Sequence, residues 1–298
     1  MAEIVIHEVG PRDGLQMEAK VVPTDIKEAW IRGLLDAGLD IVQVGSFVHP
    51  EKVPQMADTD ELFRRLVGSP EPRALLSGLV LNEKGLDRGM ACGVEMFCMG
   101  VSASETHSRK NTGMGTEEAQ RRIIATAQAA RDAGRKVQVS VQSAFGCGFE
   151  GRVPEQRVLG IVHAYLDAGL TNISLADTAG HAYPEQVKRL FGELMRLGPV
   201  QCTAHFHDTY GLGMANVYAA MGEGVTTFET SFAGLGGCPF TKVAAGNVAT
   251  EDLVHALARN GRRRDIQLPR LVEIAKDVAA FFGRDMTGRV QRAGILGY

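Results

Sequence analysis

The 298-residue sequence is short of the features that most readily announce a function. Its five cysteines (Cys92, Cys98, Cys147, Cys202 and Cys238) are odd in number and show no C-x-x-C spacing. That argues against a disulfide framework and a thiolate zinc site, and favours a reducing, cytoplasmic setting. No apolar run is long enough to span a bilayer. The N-terminus, MAEIVIHEVG, has no basic stretch followed by an apolar one, so no signal peptide is expected. Neither sign of charge dominates: net charge is −3 and there is no basic tract, so neither nucleic acid nor an anionic membrane is expected as a partner. No G-x-G-x-x-G follows the first apolar run, which counts against a dinucleotide-binding, doubly wound sheet.

What is present is a soluble globular composition, 45% hydrophobic and 22% charged, with 35 glycines that imply many tight loops. Short apolar runs alternate with amphipathic stretches. The runs are IVIHEVG (4–10), IVQVGSF (41–47), ALLSGLVL (74–81), VEMFCMGV (94–101), KVQVSVQSAF (136–145), NISLAD (172–177), CTAHFHD (202–208) and TTFETSFAG (226–234). Eight strands separated by helices predict a single α/β domain over 1–298, a (β/α)8 TIM barrel. Thr24 is expected to cap a helix over 25–37, Thr116 with Glu118 to open 117–133, and Pro154 to start 154–168. Gly38, Gly134 and Gly169 recur where helices must end in a left-handed residue before the next strand. From about 265 onward the chain predicts a further amphipathic helical appendage packed on the barrel.

Barrel interiors are apolar and chemistry sits at strand C-termini. Polar residues cluster at those ends: Glu8, Arg12 and Asp13; Gln43 and Ser46; Ser174 and Asp177; His205, His207 and Asp208; then Asn247 and Glu251. Alternate strand residues share a face, so His205 and His207 point together and Phe206 points away. Two imidazoles at a strand end can grip one metal ion; Asp13 is the best third ligand and Asn247, through a neutral carbonyl oxygen, a fourth. Imidazoles suit zinc, manganese, iron or cobalt, whereas oxygens suit magnesium or manganese. The glycines of GLGGCPF (234–240) either make a simple turn or let a mobile flap carry Cys238 over the site.

The motifs EVGPRDGLQ, SFV-P-VPQM, SLADTAG, HFHDTYG and AGLGGCPF…GN-ATEDLV together resemble the 3-hydroxy-3-methylglutaryl-CoA (HMG-CoA) lyase family, over about residues 4–283. The resemblance implies a divalent-metal (β/α)8 carbon–carbon lyase that splits HMG-CoA into acetyl-CoA and acetoacetate. It implies Asp13, His205, His207 and Asn247 as metal ligands and magnesium or manganese as the metal. Arg12 would stabilise the enolate, Cys238 would assist proton transfer, and Asp177, with a histidine such as His205, would help deprotonate the substrate hydroxyl, while Gln43 stands at a catalytic position beside Arg12. Glu8, Ser46, Ser174 and Glu251 match polar positions around the site, with Ser46 and Ser174 expected to bind substrate beside Arg12. A homodimer is the family default. Lys110 and Asn111, in ETHSRKNTG (105–113), either contact the anionic end of an acyl-CoA or belong to a solvated loop. The chain departs from the pattern where Gln43 replaces a glutamate beside the arginine, where Ala19 stands in place of a basic residue with Lys20 next to it, and where Phe232 replaces a valine. Gln43 leaves open a related lyase or aldolase with another substrate, or a weakly active acyl-CoA-binding barrel.

Overall fold

A computed structural model describes residues 3–68, 74–237 and 246–297. Eight parallel strands close into a barrel in sequence order. They are β1 (Val5–Glu8), β2 (Ile41–Ser46), β3 (Leu75–Leu79), β4 (Met96–Ser102), β5 (Lys136–Gln142), β6 (Asn172–Asp177), β7 (Gln201–Phe206) and β8 (Thr227–Thr230). Closure is made by β1 on β8, with Val5 opposite Thr227 and His7 opposite Glu229. All eight predicted strands are present. Their apolar, β-branched runs suit parallel strands that are covered by helices on one face and by the barrel core on the other.

The outer helices are α1 (Thr24–Asp36), α2 (Thr59–Leu66), α3 (Glu83–Ala91), α4 (Glu105–Thr112), α5 (Thr116–Asp132), α6 (Glu155–Asp167), α7 (Pro184–Arg196), α8 (Gly213–Gly222) and α9 (Thr250–Arg259). Gly38, Gly134 and Gly169 all have positive φ, as the helix-to-strand turns require. The helix starts differ from expectation. Thr24 is the first residue of α1, and its hydroxyl donates to Asp58 rather than capping. Thr116 likewise lies inside α5, where it donates to the Ser102 carbonyl and Gly115 holds the cap position. Pro154 precedes α6 as its cap residue. None of the three helices has a side-chain cap, and both threonine hydroxyls are taken by tertiary partners instead.

One irregularity matters for the mouth of the barrel. The β2–β3 register shifts between Gln43 and Gly45. Gly45 has no room for a side chain, since an added Cβ would lie 2.4 Å from the Thr59 hydroxyl on α2. That hydroxyl accepts from the Ser46 amide at 3.2 Å and donates to the Met56 carbonyl at 2.9 Å. The shift reverses strand parity, so Gln43 and Ser46, three positions apart, both face the interior.

The tail forms α10 (Leu268–Phe282) and α11 (Val290–Ala293). α10 lies against α1, α9 and the short turn Phe232–Gly234 that follows β8. Trp30 of α1 stacks edge-on against Phe281 and also touches Phe232, with centroids 5.6 and 6.0 Å apart. Phe232 is thus a buried brace between the tail and the strand-8 turn. Lys20 joins it there, donating to the Phe281 carbonyl at 2.7 Å and lying 3.7 Å above that ring, away from the site.

Candidate active site

A cavity of about 690 Å³ opens at the C-terminal ends of the strands, and Arg12, Asp13, Gln43, Ser46, His205 and His207 line it. A larger depression of about 970 Å³ lies at the opposite end, beside Asp40, Lys136 and Asn172. The mouth cavity is the chemically relevant one, because the convergent titratable side chains face it.

Arg12 and Asp13 come from a tight helical turn, Gly10–Gly14, immediately after β1. The turn fits because Gly10 lies against Phe232 and Gly14 against Leu235, and a Cβ at either would approach within 2.7 Å of them. The Arg12 guanidinium donates to Gln43 Oε1 through Nε and to Asp13 Oδ1 through Nη1, the latter at 2.6 Å. Gln43 therefore keeps a contact with the arginine, but as a neutral acceptor.

His205 in β7 and His207 just beyond its end have ring centroids 5.1 Å apart. Asp13 Oδ2 lies 3.8 Å from His207 Nε2, and Asp13, His205 and His207 bring their ligand atoms within 4.8 Å of one another. Asn247 arrives because the chain at 246–248 pairs alongside the end of β7: Asp208 N–H donates to the Gly246 carbonyl and Val248 N–H to the Phe206 carbonyl. Its amide nitrogen donates to Asp13 Oδ2 at 2.9 Å and to the Leu235 carbonyl at 3.0 Å. Gly236 passes so close that a Cβ there would sit 2.5 Å from Asn247 Nδ2, at a φ of +111°. The structure thus brings together the four predicted ligands.

These donors fit a cation. Both ring nitrogens of His207, and Asn247 Oδ1, are buried without a hydrogen-bond partner. Buried polar atoms are rarely left so, and a divalent ion would satisfy one nitrogen of the His207 ring together with Asn247 Oδ1. Electrostatics agree. Burial alone would raise the Asp13 pKa, but Arg12 and the two histidines hold it well below the usual carboxylate range. Burial lowers the pKa of His207, which keeps that imidazole neutral and able to ligate. His205 also loses solvation, yet its bond to Glu229 turns the net shift upward.

The remaining predicted residues divide. Asn111 lines the cavity. Lys110 does not: its ammonium sits 3.9 Å above the Phe149 ring. Ser174 is fully buried one layer deeper in the barrel, and its hydroxyl has no partner. Asp177 stands at the end of β6, but its neighbours Ala176 and Thr178 form the wall there. Its Oδ1 accepts from the His181 amide at 2.8 Å, Oδ2 is buried without a partner, and burial raises its pKa to about 7. Glu8 and Glu251 face the scaffold. Glu8 accepts from the Gly10 and Phe232 amides and the Thr250 hydroxyl, and Glu251 from the Ala233 amide. Asp208 caps α8 through the Gly213 amide. Cys238 lies outside the described residues.

Sequence reasoning missed Glu229, which lines the cavity and binds His205 Nδ1 at 2.8 Å. The available signal was an acid at an inward position of an otherwise apolar and threonine-rich strand. His7, within IVIHEVG, offers a related signal, a polar residue inside an apolar run, and was also missed.

Comparison with known proteins points to one family and one fold. The HMGL-like family model matches residues 3–278. The chain is 36% identical over 296 residues to the hydroxymethylglutaryl-CoA lyase of Pseudomonas mevalonii, covering 99% of this chain and 97% of that one. The crystal structure of the Bacillus subtilis HMG-CoA lyase superposes with a TM-score of 0.93 at 34% identity, covering 98% and 97% of the two chains. An HMG-CoA lyase from Acinetobacter baumannii, solved in complex with coenzyme A and 3-methylmalate, superposes with a TM-score of 0.92 at 36% identity, covering 98% and 95%.

Proposed function

The chain belongs to the HMGL-like family of hydroxymethylglutaryl-CoA lyases, and from that premise we propose that it cleaves HMG-CoA to acetyl-CoA and acetoacetate. The observation that carries this reading is the meeting of Arg12 with Asp13, His205 and His207 in one cavity.

Asp13, His205, His207 and Asn247 would hold a divalent ion, magnesium or manganese. When bound, the ion supplies Lewis-acid polarisation of the substrate's tertiary hydroxyl and carboxylate. The chain's own residues do the rest. The hydroxyl proton is assigned to Asp177 acting with His205: His205 lines the cavity, while Asp177, set behind Ala176 and Thr178, has a free Oδ2 and a pKa of about 7 that let it hold a proton at neutral pH. As that proton leaves, the C3–O bond becomes a carbonyl, the C2–C3 bond breaks, and its electron pair moves onto the thioester as an enolate. Arg12, fixed by Gln43 and Asp13, meets the charge where it develops. Cys238 then helps return a proton to the enolate carbon, completing acetyl-CoA. Ser46 and Asn111, on the cavity wall, contact the substrate. We place this chemistry in a cytoplasmic homodimer of single barrel domains, with residues from about 265 onward bracing the strand-8 turn.

Gln43 favours a second reading, a related lyase for another 3-hydroxyacyl-CoA, because it gives Arg12 a neutral acceptor in place of a charged partner. Purified protein with Mn²⁺ is to be assayed for acetyl-CoA and acetoacetate release from HMG-CoA, beside Gln43→Glu. Turnover by the wild type supports the first reading. Turnover only by the variant supports the second, and absence of both turnover and metal binding sinks both.

A further inference from the structure

Below the proposed metal centre, one polar layer crosses the barrel interior. His205 on β7 and His7 on β1 are both register partners of Glu229 on β8, so the three stand side by side at one level. Glu229 Oε2 is 2.8 Å from His205 Nδ1, and Oε1 is 3.6 Å from His7 Nδ1. On the far side of the His7 ring, Nε2 is 2.9 Å from the Ser77 hydroxyl of β3. All four residues are buried.

An ionised carboxylate only accepts hydrogen bonds, so a charged Glu229 requires His205 to carry its proton on Nδ1. In the neutral ring, the form that can ligate a metal, the lone pair of His205 is then on Nε2. A neutral His7 extends the pattern in one tautomer: Nδ1–H points at Glu229 from 3.6 Å, an electrostatic contact longer than a hydrogen bond, and Nε2 accepts from Ser77 O–H. Burial lowers the His7 pKa to about 4, consistent with a neutral ring.

Building on the proposed function, we infer that Glu229 is a positioning residue, which fixes the tautomer and orientation of His205 so that Nε2 is presented to the divalent ion, and that His7, anchored by Ser77, holds Glu229 in place. The carboxylate acts through the imidazole and needs no contact with the reacting atoms. Such partners of metal-bound histidines typically contribute roughly 10–100-fold to metal affinity.

The test uses Mn²⁺ alone as probe, with affinity read by calorimetry or by the loss of the free-ion paramagnetic signal. Glu229→Gln, which preserves shape, is expected to weaken Mn²⁺ binding by roughly 10–100-fold. Glu229→Asp should recover part of that loss, and His7→Ala should cost a smaller factor. In steady state, kcat at saturating Mn²⁺ should fall with KM for the thioester little changed. Independently of any variant, ¹⁵N shifts of wild-type metal-free protein should show His205 protonated on Nδ1. An Nε2–H tautomer, or a folded Glu229→Gln that binds Mn²⁺ within twofold of wild type, overturns the positioning role and leaves the proposed function standing. A wild-type protein that binds no Mn²⁺ at millimolar supply overturns both.

Discussion

Asp13 and Glu229 on one side, and Glu8 and Glu251 on the other, are largely buried acids at the ends of strands or in the segments that follow them, yet they face opposite kinds of neighbour. Asp13 meets Arg12 and His207, and Glu229 meets His205 and His7. Both line the cavity, and both are held below the usual carboxylate range despite burial. Glu8 and Glu251 meet backbone amides around the strand-8 turn, with Thr250 added for Glu8, and burial raises their pKa to about 7 and 8. Cationic and imidazole partners keep a carboxylate charged and useful to a metal or a substrate. Amide partners keep it in place and make it part of the turn. Burial alone does not separate the two, but the nature of the partner does.

The sharpest way to break this comparison is to remove a charge from the cavity side. Arg12→Ala or Asp13→Ala should lower kcat by roughly 10²–10³, about 2.7–4 kcal/mol of transition-state stabilisation, with the melting temperature little changed. Steady-state release of acetyl-CoA checks it, and near wild-type turnover by Arg12→Ala would remove its assigned role. Asp177 stands between the two classes, since an amide holds one oxygen while the other is free. As a proton acceptor it should cost about 10²-fold in kcat as Asp177→Asn. If turnover stays within a few-fold and only stability falls, Asp177 joins Glu8 as a loop anchor.

The scaffold acids should report through stability instead. Their folded pKa values are raised, so the folded state binds protons that the unfolded chain has already released. Their contribution is therefore complete below the unfolded carboxylate range, near pH 4.5, and is lost as pH rises through about 7 for Glu8 and about 8 for Glu251. The melting temperature should decline between those limits. Glu8→Gln with Glu251→Gln should flatten that decline while leaving kcat at neutral pH within twofold. Thermal melts across the pH series measure it, and a slope equal to wild type would place the titration elsewhere.

Much of this was legible in the sequence, for physical reasons that also mark where legibility stopped. The alternation of strand and helix and the recurring C-cap glycines specify the barrel, since each depends on local periodicity or backbone conformation. The i, i+2 pairing of His205 with His207 is likewise local, and Asp13 and Asn247 could be nominated as acceptors within reach of it. What pattern could not supply is which face a polar strand end turns toward. Glu8, Glu251 and Asp208 read like Asp13 in the sequence, and only the chain's return through Phe232, Ala233, Thr250 and Gly213 commits them to the scaffold. The parity reversal that turns Ser46 inward arises from Thr59 docking against Gly45, a contact that no strand pattern contains. Glu229 and His7 went unread because each looks like an isolated polar interruption until the closure of β1 on β8 sets them side by side.

The finest form of the comparison lies in two adjacent residues of α4, Lys110 and Asn111. Both are exposed polar side chains, and both were candidates for contact with an acyl-CoA. The helix sends them to different neighbours: Asn111 borders the cavity, whereas the Lys110 ammonium rests 3.9 Å above Phe149. A cation over an aromatic face at an exposed site contributes about 0.5–1 kcal/mol. Lys110→Ala should therefore show as a small loss of thermal stability, with KM for the thioester within twofold of wild type. Asn111→Ala, removing a wall contact of comparable strength to a neutral hydrogen bond, should raise KM by roughly 2–10-fold with no loss of stability. Measuring KM and melting temperature for both variants gives four numbers whose pattern is fixed in advance. If KM rises for Lys110→Ala instead, the ammonium leaves Phe149 for the anionic end of the substrate, and the line between scaffold and cavity at this helix must be drawn one residue earlier.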